Sequence, residues 1–220
     1  MCRKNITENF DFICYTDDIS GIRSEVSIVP FVNYGLEVIT HNKLFLFSKE
    51  FDQSIPTGPR VFFDLDLIIK SNIDDIVSTK QKQLTLIRSS WRQEHPRGFP
   101  IWHHMLNSSC MTWESPHTRC LWDHFIKDSE QYTLRYHWGM DCFLSYEHSS
   151  VGTQLHMFPE RKFMSHLYGV DYFENIACII KHGIPFVSRY RNASRNIPVV
   201  LLNGDTSVED YEKYSKYYAD

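Results

Sequence analysis

Asp64 and Asp66 stand two residues apart at the end of the apolar run Val61-Phe62-Phe63. In an extended chain that spacing sends both carboxylates to one face, about 6.6 Å apart along the backbone. Two anions beside so apolar a stretch carry a large dehydration cost unless they are protonated, hydrogen-bonded or bound to a cation. A divalent ion takes oxygen ligands of this kind at roughly 2.0–2.6 Å. The plainer role for an Asp-x-Asp pair is to bind backbone N–H groups where a strand leaves its sheet. The apolar residues that precede this pair favour the metal.

Other residue types suited to chemistry are less well spaced. Eleven histidines are present, but His103 and His104 are adjacent and point apart on any regular element. His117 and His124 are too far apart to share an ion without a third partner, and no His-Glu-x-x-His or Cys/His finger pattern occurs. The six cysteines form no Cys-x-x-Cys pair, so they read as reduced and partly buried rather than as a disulfide framework. Among the five tryptophans, Trp113 and Trp122 fit core positions, whereas Trp102 and Trp138 are the candidates for an exposed stacking face.

The elements that must hold these residues follow from pattern. Phe10 to Thr16 and Val26 to Val29 read as strands, and Glu37 to Phe47 as a helix. Val61 to Ile69 reads as one central strand covered on both faces, interrupted in composition only by its two aspartates. Leu84 to Ile87, Asn107 to Trp113 and Pro198 to Leu202 are further strands. Helices are expected between Thr118 and Asp128, where Leu121, Trp122, Phe125 and Ile126 share a face, and from Met140 to Tyr146. Trp91 to Pro100 reads as a loop, and Val208 to Tyr218 as a terminal amphipathic helix. Strands alternating with helices predict an α/β fold, a mixed and mostly parallel sheet flanked by helices, in a single domain over 1–220.

Charge and hydropathy exclude several classes. Lys plus Arg is 23 against 27 for Asp plus Glu, a net charge of −4, which gives no basic field for a nucleic-acid backbone. No apolar run approaches the roughly 18 residues of a membrane span. The N-terminal residues show no secretory pattern, so a cytoplasmic location is expected.

The order of motifs resembles the GT-A-fold nucleotide-sugar glycosyltransferases, in particular the glycogenin and galactosyltransferase group of retaining enzymes and related small bacterial and phage proteins. Phe12-Ile13-Cys14-Tyr15-Thr16-Asp17-Asp18 resembles their second strand and turn, and Thr40-His41-Asn42-Lys43-Leu44 the segment whose lysine reaches the donor nucleotide. Arg60 to Asp66, followed by Asn72-Ile73-Asp74-Asp75-Ile76, resembles their Asp-x-Asp strand and downstream turn. Asn107-Ser108-Ser109-Cys110-Met111 is similar to the strand that faces the sugar, and Gly139-Met140-Asp141-Cys142 to the Gly-Asp-Gln segment. Phe158-Pro159 and Leu201-Leu202-Asn203-Gly204 complete the order.

The resemblance implies a GT-A-like nucleotide-diphospho-sugar transferase fold and a metal-dependent transfer from a nucleotide-diphosphate sugar, such as a UDP-sugar, to an acceptor it does not identify. It implies Mn2+ or Mg2+ held by Asp64, Asp66 and Asn203, donor binding by Lys43, Asp64, Asn107 and Ser108, and catalytic roles for Asp141 and Asn107. The Gly-Asp-Gln segment aligns in two ways, with either Asp141 or Met140 in the place of the family's Asp. Three departures stand out: the family's first strand and helix have no counterpart, so an N-terminally truncated fold is expected; Asn203 replaces a histidine ligand; Ser207-Val208 replaces a Lys-Pro pair. These departures support a rival expectation, a glycosyltransferase-like binding or interaction module without catalysis. Phe63-Asp64-Leu65-Asp66 also resembles the haloacid-dehalogenase-like phosphatases, whose motif continues Gly-Thr where this chain has Leu67-Ile68.

Overall fold

The computed structural model describes residues 1–79, 83–89, 106–159, 161–165 and 197–202. Within them the fold is mixed α/β, with a four-stranded sheet between two apolar layers. That sheet runs in the order β3 (Pro59–Phe63), β6 (Leu106–Glu114), β5 (Leu84–Arg88), β7 (Leu155–Met157). A three-stranded sheet orders β4 (Leu67–Ile69), β9 (Val199–Leu201), β8 (Phe163–Ser165). A separate parallel pair joins β1 (Ile13–Thr16) to β2 (Ser27–Pro30).

Side chains alternate across β6 and so fasten the two layers together. Met111 and Trp113 enter the first core cluster, with Phe45, Phe47, Leu121, Phe125 and Phe143 from helical segments. Cys110 enters the second, with Leu67, Ile69, Val199 and Leu201 of the smaller sheet and Ile73 and Ile76 beside it. A fully buried side chain of this size contributes about 1.5–3 kcal/mol by leaving water. The first cluster is largely aromatic: Phe125 meets Phe143 edge-on at 5.3 Å, and Phe47 meets Trp113 edge-on at 5.4 Å.

The helical layer comprises a 3₁₀ helix (Ile39–Phe47), α2 (Lys49–Ser54), α4 (Arg119–Ile126), α5 (Ser129–Arg135) and α6 (Met140–Glu147). Two further single turns are α1 (Cys2–Asn5) and α3 (Asp74–Val77). α2 begins sharply because the buried Ser48 side chain accepts a hydrogen bond from Phe51 N at 2.9 Å. On α4, Leu121, Trp122 and Phe125 are buried as their spacing predicts, while Ile126 is 38% exposed at the helix end.

Three expectations from sequence need correction. The run Val61 to Ile69 is not one strand. β3 ends at Phe63, β4 begins at Leu67 in the other sheet, and the aspartates occupy the break. Both faces of β3 are covered as expected, since Phe62 packs on the first cluster and Val61 and Phe63 on the second. Among the described strands, however, β3 lies at the margin of its sheet. Second, parallel pairings do not predominate: three described pairings are parallel and three antiparallel, because β6 runs against both of its neighbours and β9 against β4. Third, the segment expected as a helix over Glu37 to Phe47 is 3₁₀ from Ile39, with buried side chains all round rather than on one stripe. The loop expected at Trp91 to Pro100 and the helix expected at Val208 to Tyr218 lie outside the described residues. Trp113 and Trp122 are core residues and Trp138 is 55% exposed, as expected; Trp102, His103 and His104 lie outside the described residues. No described helix is long and apolar enough to cross a membrane.

Candidate functional site

The break after β3 is built by a change of hydrogen-bonding partner. Asp64 N donates to Ser109 O at 2.8 Å, which extends the β3–β6 ladder by one residue. Two residues later Asp66 O accepts from Leu202 N at 2.8 Å, which extends the β4–β9 ladder instead. Leu65 lies at the change-over and is 99% exposed. A carboxylate pair inside either sheet would lose its hydration; at the change-over the backbone is satisfied on both sides while Asp66 stays exposed and Asp64 partly so.

An irregularity in β6 supplies the facing wall. Its register with β5 jumps from Leu86↔Met111 to Ile87↔Asn107, so Ser108, Ser109 and Cys110 have no β5 partner. The N–H groups released there are taken by side chains: Ser108 N donates to Asp141 Oδ1 at 2.9 Å, and Ser109 N to Asn107 Oδ1 at 3.1 Å. Such bulges re-aim backbone and side chains near binding sites. Asp141 sits in the first turn of α6, where a carboxylate is favoured by the helix dipole.

Lys43 joins from the 3₁₀ helix. Its ammonium lies 2.6 Å from Asp64 Oδ2 and 5.5 Å from the centre of the Phe62 ring, with both charged side chains largely enclosed. Asp66 is exposed as a residue, yet the protein around its carboxyl raises the pKa by partial dehydration, and the negative Asp64 adds to the rise; Lys43 acts in the opposite direction. Two residues before Lys43, the fully buried His41 packs on Phe125 at 5.3 Å. Burial draws its pKa down to about 4, against a smaller opposing effect of the Gly139 carbonyl, so the ring is neutral near pH 7.

Thus Lys43, Asp64, Asp66, Asn107, Ser108 and Asp141, far apart in sequence, are linked by direct contacts or by the two strands that carry them. Asn203 lies outside the described residues; Leu202, its neighbour, bonds to Asp66. Phe62 and the Ser109 carbonyl also help to build the site. Alternation along β3 places Phe62 and Asp64 on one side, a signal for Phe62; the β6 irregularity had none.

The donor set fits a hard cation in one respect: two carboxylates close enough for one to raise the other's pKa are oxygen ligands short of positive charge. No group of three or more His, Cys, Asp or Glu side chains suited to a metal occurs among the described residues, so the remaining positions of an ion here would fall to water, to ligand oxygens or to residues beyond them.

No known family's sequence pattern matches the chain, and no curated protein matches it. Among solved structures it is similar to the galactosyltransferase LgtC in complex with donor and acceptor sugar analogues, at 13% identity and a TM-score of 0.49, over 92% of this chain and 77% of that one. It is also similar to the glycosyltransferase GlyE of Streptococcus pneumoniae, at 13% identity and a TM-score of 0.49 over 89% of this chain; it spans 47% of that protein's length. Mouse xyloside xylosyltransferase 1 is similar at 16% identity and a TM-score of 0.45, over 83% and 77% of the two chains.

Proposed function

We propose that this chain is a GT-A-like, metal-dependent glycosyltransferase that moves a sugar from a nucleotide-diphosphate donor to an acceptor hydroxyl. The observation that carries the reading is the meeting of Lys43 with the Asp64–Asp66 break, opposite the β6 segment that Asp141 holds. Asp64 and Asp66, with Asn203, would hold Mn2+ or Mg2+. Bound there, such an ion neutralises charge on the diphosphate and so favours its departure. Lys43 is a second positive charge for the diphosphate, delivered from a buried segment whose backbone is fixed.

Asn107, Ser108 and Asp141 serve the sugar side. Asp141 accepts from Ser108 N, and the Ser109 N–H to Asn107 Oδ1 bond orients the Asn107 amide, so both side chains are positioned before a sugar arrives. In the transfer, the bond from the anomeric carbon to the diphosphate oxygen breaks and the diphosphate keeps the electron pair. The acceptor hydroxyl oxygen bonds to that carbon, and its proton passes to the departing diphosphate.

Calorimetric titration with UDP, with and without Mn2+, tests the assignment. Binding should require Mn2+ and weaken at least about tenfold in Asp66→Ala, the loss expected for a charge-assisted contact. Binding indifferent to both would overturn it. A binding module without catalysis would bind UDP-sugars and release no UDP from them in the presence of acceptor.

A further inference from the structure

We propose that Lys43 is a resident counter-ion that a divalent metal must displace, so that metal and diphosphate bind cooperatively through this one side chain. The inference rests on the proposed function and adds a rule for how the site fills.

The ammonium of Lys43 contacts Asp64, one of the two carboxylates offered to a metal, at 2.6 Å, and Phe62 backs it. Asp66 forms no ion pair among the described residues, although Lys43 acts on it through space. Two carboxylates therefore share one ammonium, and the ammonium sits on the enclosed member of the pair. A divalent ion that takes Asp64 meets a cation already in contact with the same carboxylate. It must either share that carboxylate against like-charge repulsion or drive Lys43 off Asp64 into partly dehydrated surroundings.

A diphosphate removes both difficulties. It gives the ammonium a new anion, and it gives the metal additional oxygens. Lysine suits this exchange because its ammonium is a compact charge on a flexible stem, while Asn42 and Leu44 on either side are buried and keep the backbone still. Movement is then confined to the side chain. By thermodynamic reciprocity, diphosphate tightens metal binding by the same factor that metal tightens diphosphate binding.

The test measures Mn2+ binding by the electron paramagnetic resonance of the free ion, without and with UDP as the diphosphate probe. It compares the wild-type chain, Lys43→Met, Lys43→Arg, and Asp64→Asn with Asp66→Asn. Without UDP, Lys43→Met should bind Mn2+ about tenfold more tightly than wild type, a size typical of coupling between sites. Lys43→Arg should stay close to wild type, and UDP should tighten Mn2+ binding far more in wild type than in Lys43→Met. Lys43→Gln gives the same comparison should the methionine variant fold poorly. If Mn2+ binding depends on the aspartates yet is unchanged or weaker in the Lys43→Met and Lys43→Gln variants, the exchange is wrong and the metal site stands. If wild type and Lys43→Met bind no Mn2+, or the double asparagine variant binds it equally well, the proposed function fails and the exchange with it.

Discussion

Glu147 is a buried carboxylate kept charged inside an aromatic layer. Burial works to raise its pKa, but hydrogen bonds from Tyr136, from His124 at 3.1 Å and from Ser150 at 3.2 Å outweigh it and hold the carboxyl below its usual range. The same carboxylate, with burial as the larger cause, pushes the Tyr136 phenol upward. Because the folded state favours the ionised form, the stabilisation is complete above the ordinary glutamate range and disappears as pH falls through the depressed folded value. The melting temperature of Glu147→Gln should therefore lie furthest below wild type at pH 7, and the gap should close below about pH 4. A gap independent of pH would show that the carboxylate charge is not what the network holds. The long-range partners were not legible in sequence: His124 comes from α4 and Tyr136 from the end of α5, and no local spacing brings Glu147 to either. Asp64 and Asp66 were legible, because two charges beside an apolar strand violate the local pattern.

Between elements, Gly139 sets the distance from α6 to the 3₁₀ helix. Its φ of 94° lies in the region that favours glycine, and a Cβ there would run into the Thr40 side chain. Thr40 is adjacent to His41, and Gly139 caps the helix that presents Asp141, so this close approach holds the lysine-bearing and aspartate-bearing elements together. Gly139→Ala should cost about 2–4 kcal/mol from backbone strain and overpacking together, measured by urea unfolding. It should also weaken nucleotide binding more than an equally destabilising core change such as Met111→Ala, since only the former shifts Asp141. Equal losses would mean that Gly139 acts on stability alone. At this scale the sequence was readable wherever apolar periodicity was strong, as in α4, α6 and β6. It misled at Val61 to Ile69, where composition was continuous but the hydrogen-bonding partner changed. It was silent on β7 and β8, three-residue strands whose existence depends on the strands beside them.

At the scale of the whole molecule, the described residues form two apolar layers sharing β6, and the carboxylate pair lies where the larger sheet passes the chain to the smaller. Sequence order announced an α/β chain; that its sheets meet at the aspartates could not be read from it, because the bonds responsible join Asp64 to Ser109 and Asp66 to Leu202, far apart in the chain. The change-over at Leu65 has a mechanical consequence. One carboxylate rides on each sheet, so a bound cation would be a rivet between them, and the same two amides would record its tension. Hydrogen exchange at Asp64 N–H and Leu202 N–H should slow together when Mn2+ and UDP are added, while exchange within β5, remote from the joint, stays unchanged. Slowing at only one of the two amides would mean that the sheets are not clamped. A cation bound as proposed would be felt by such a chain as stiffness, with Leu65, 99% exposed, at the joint between the two sheets.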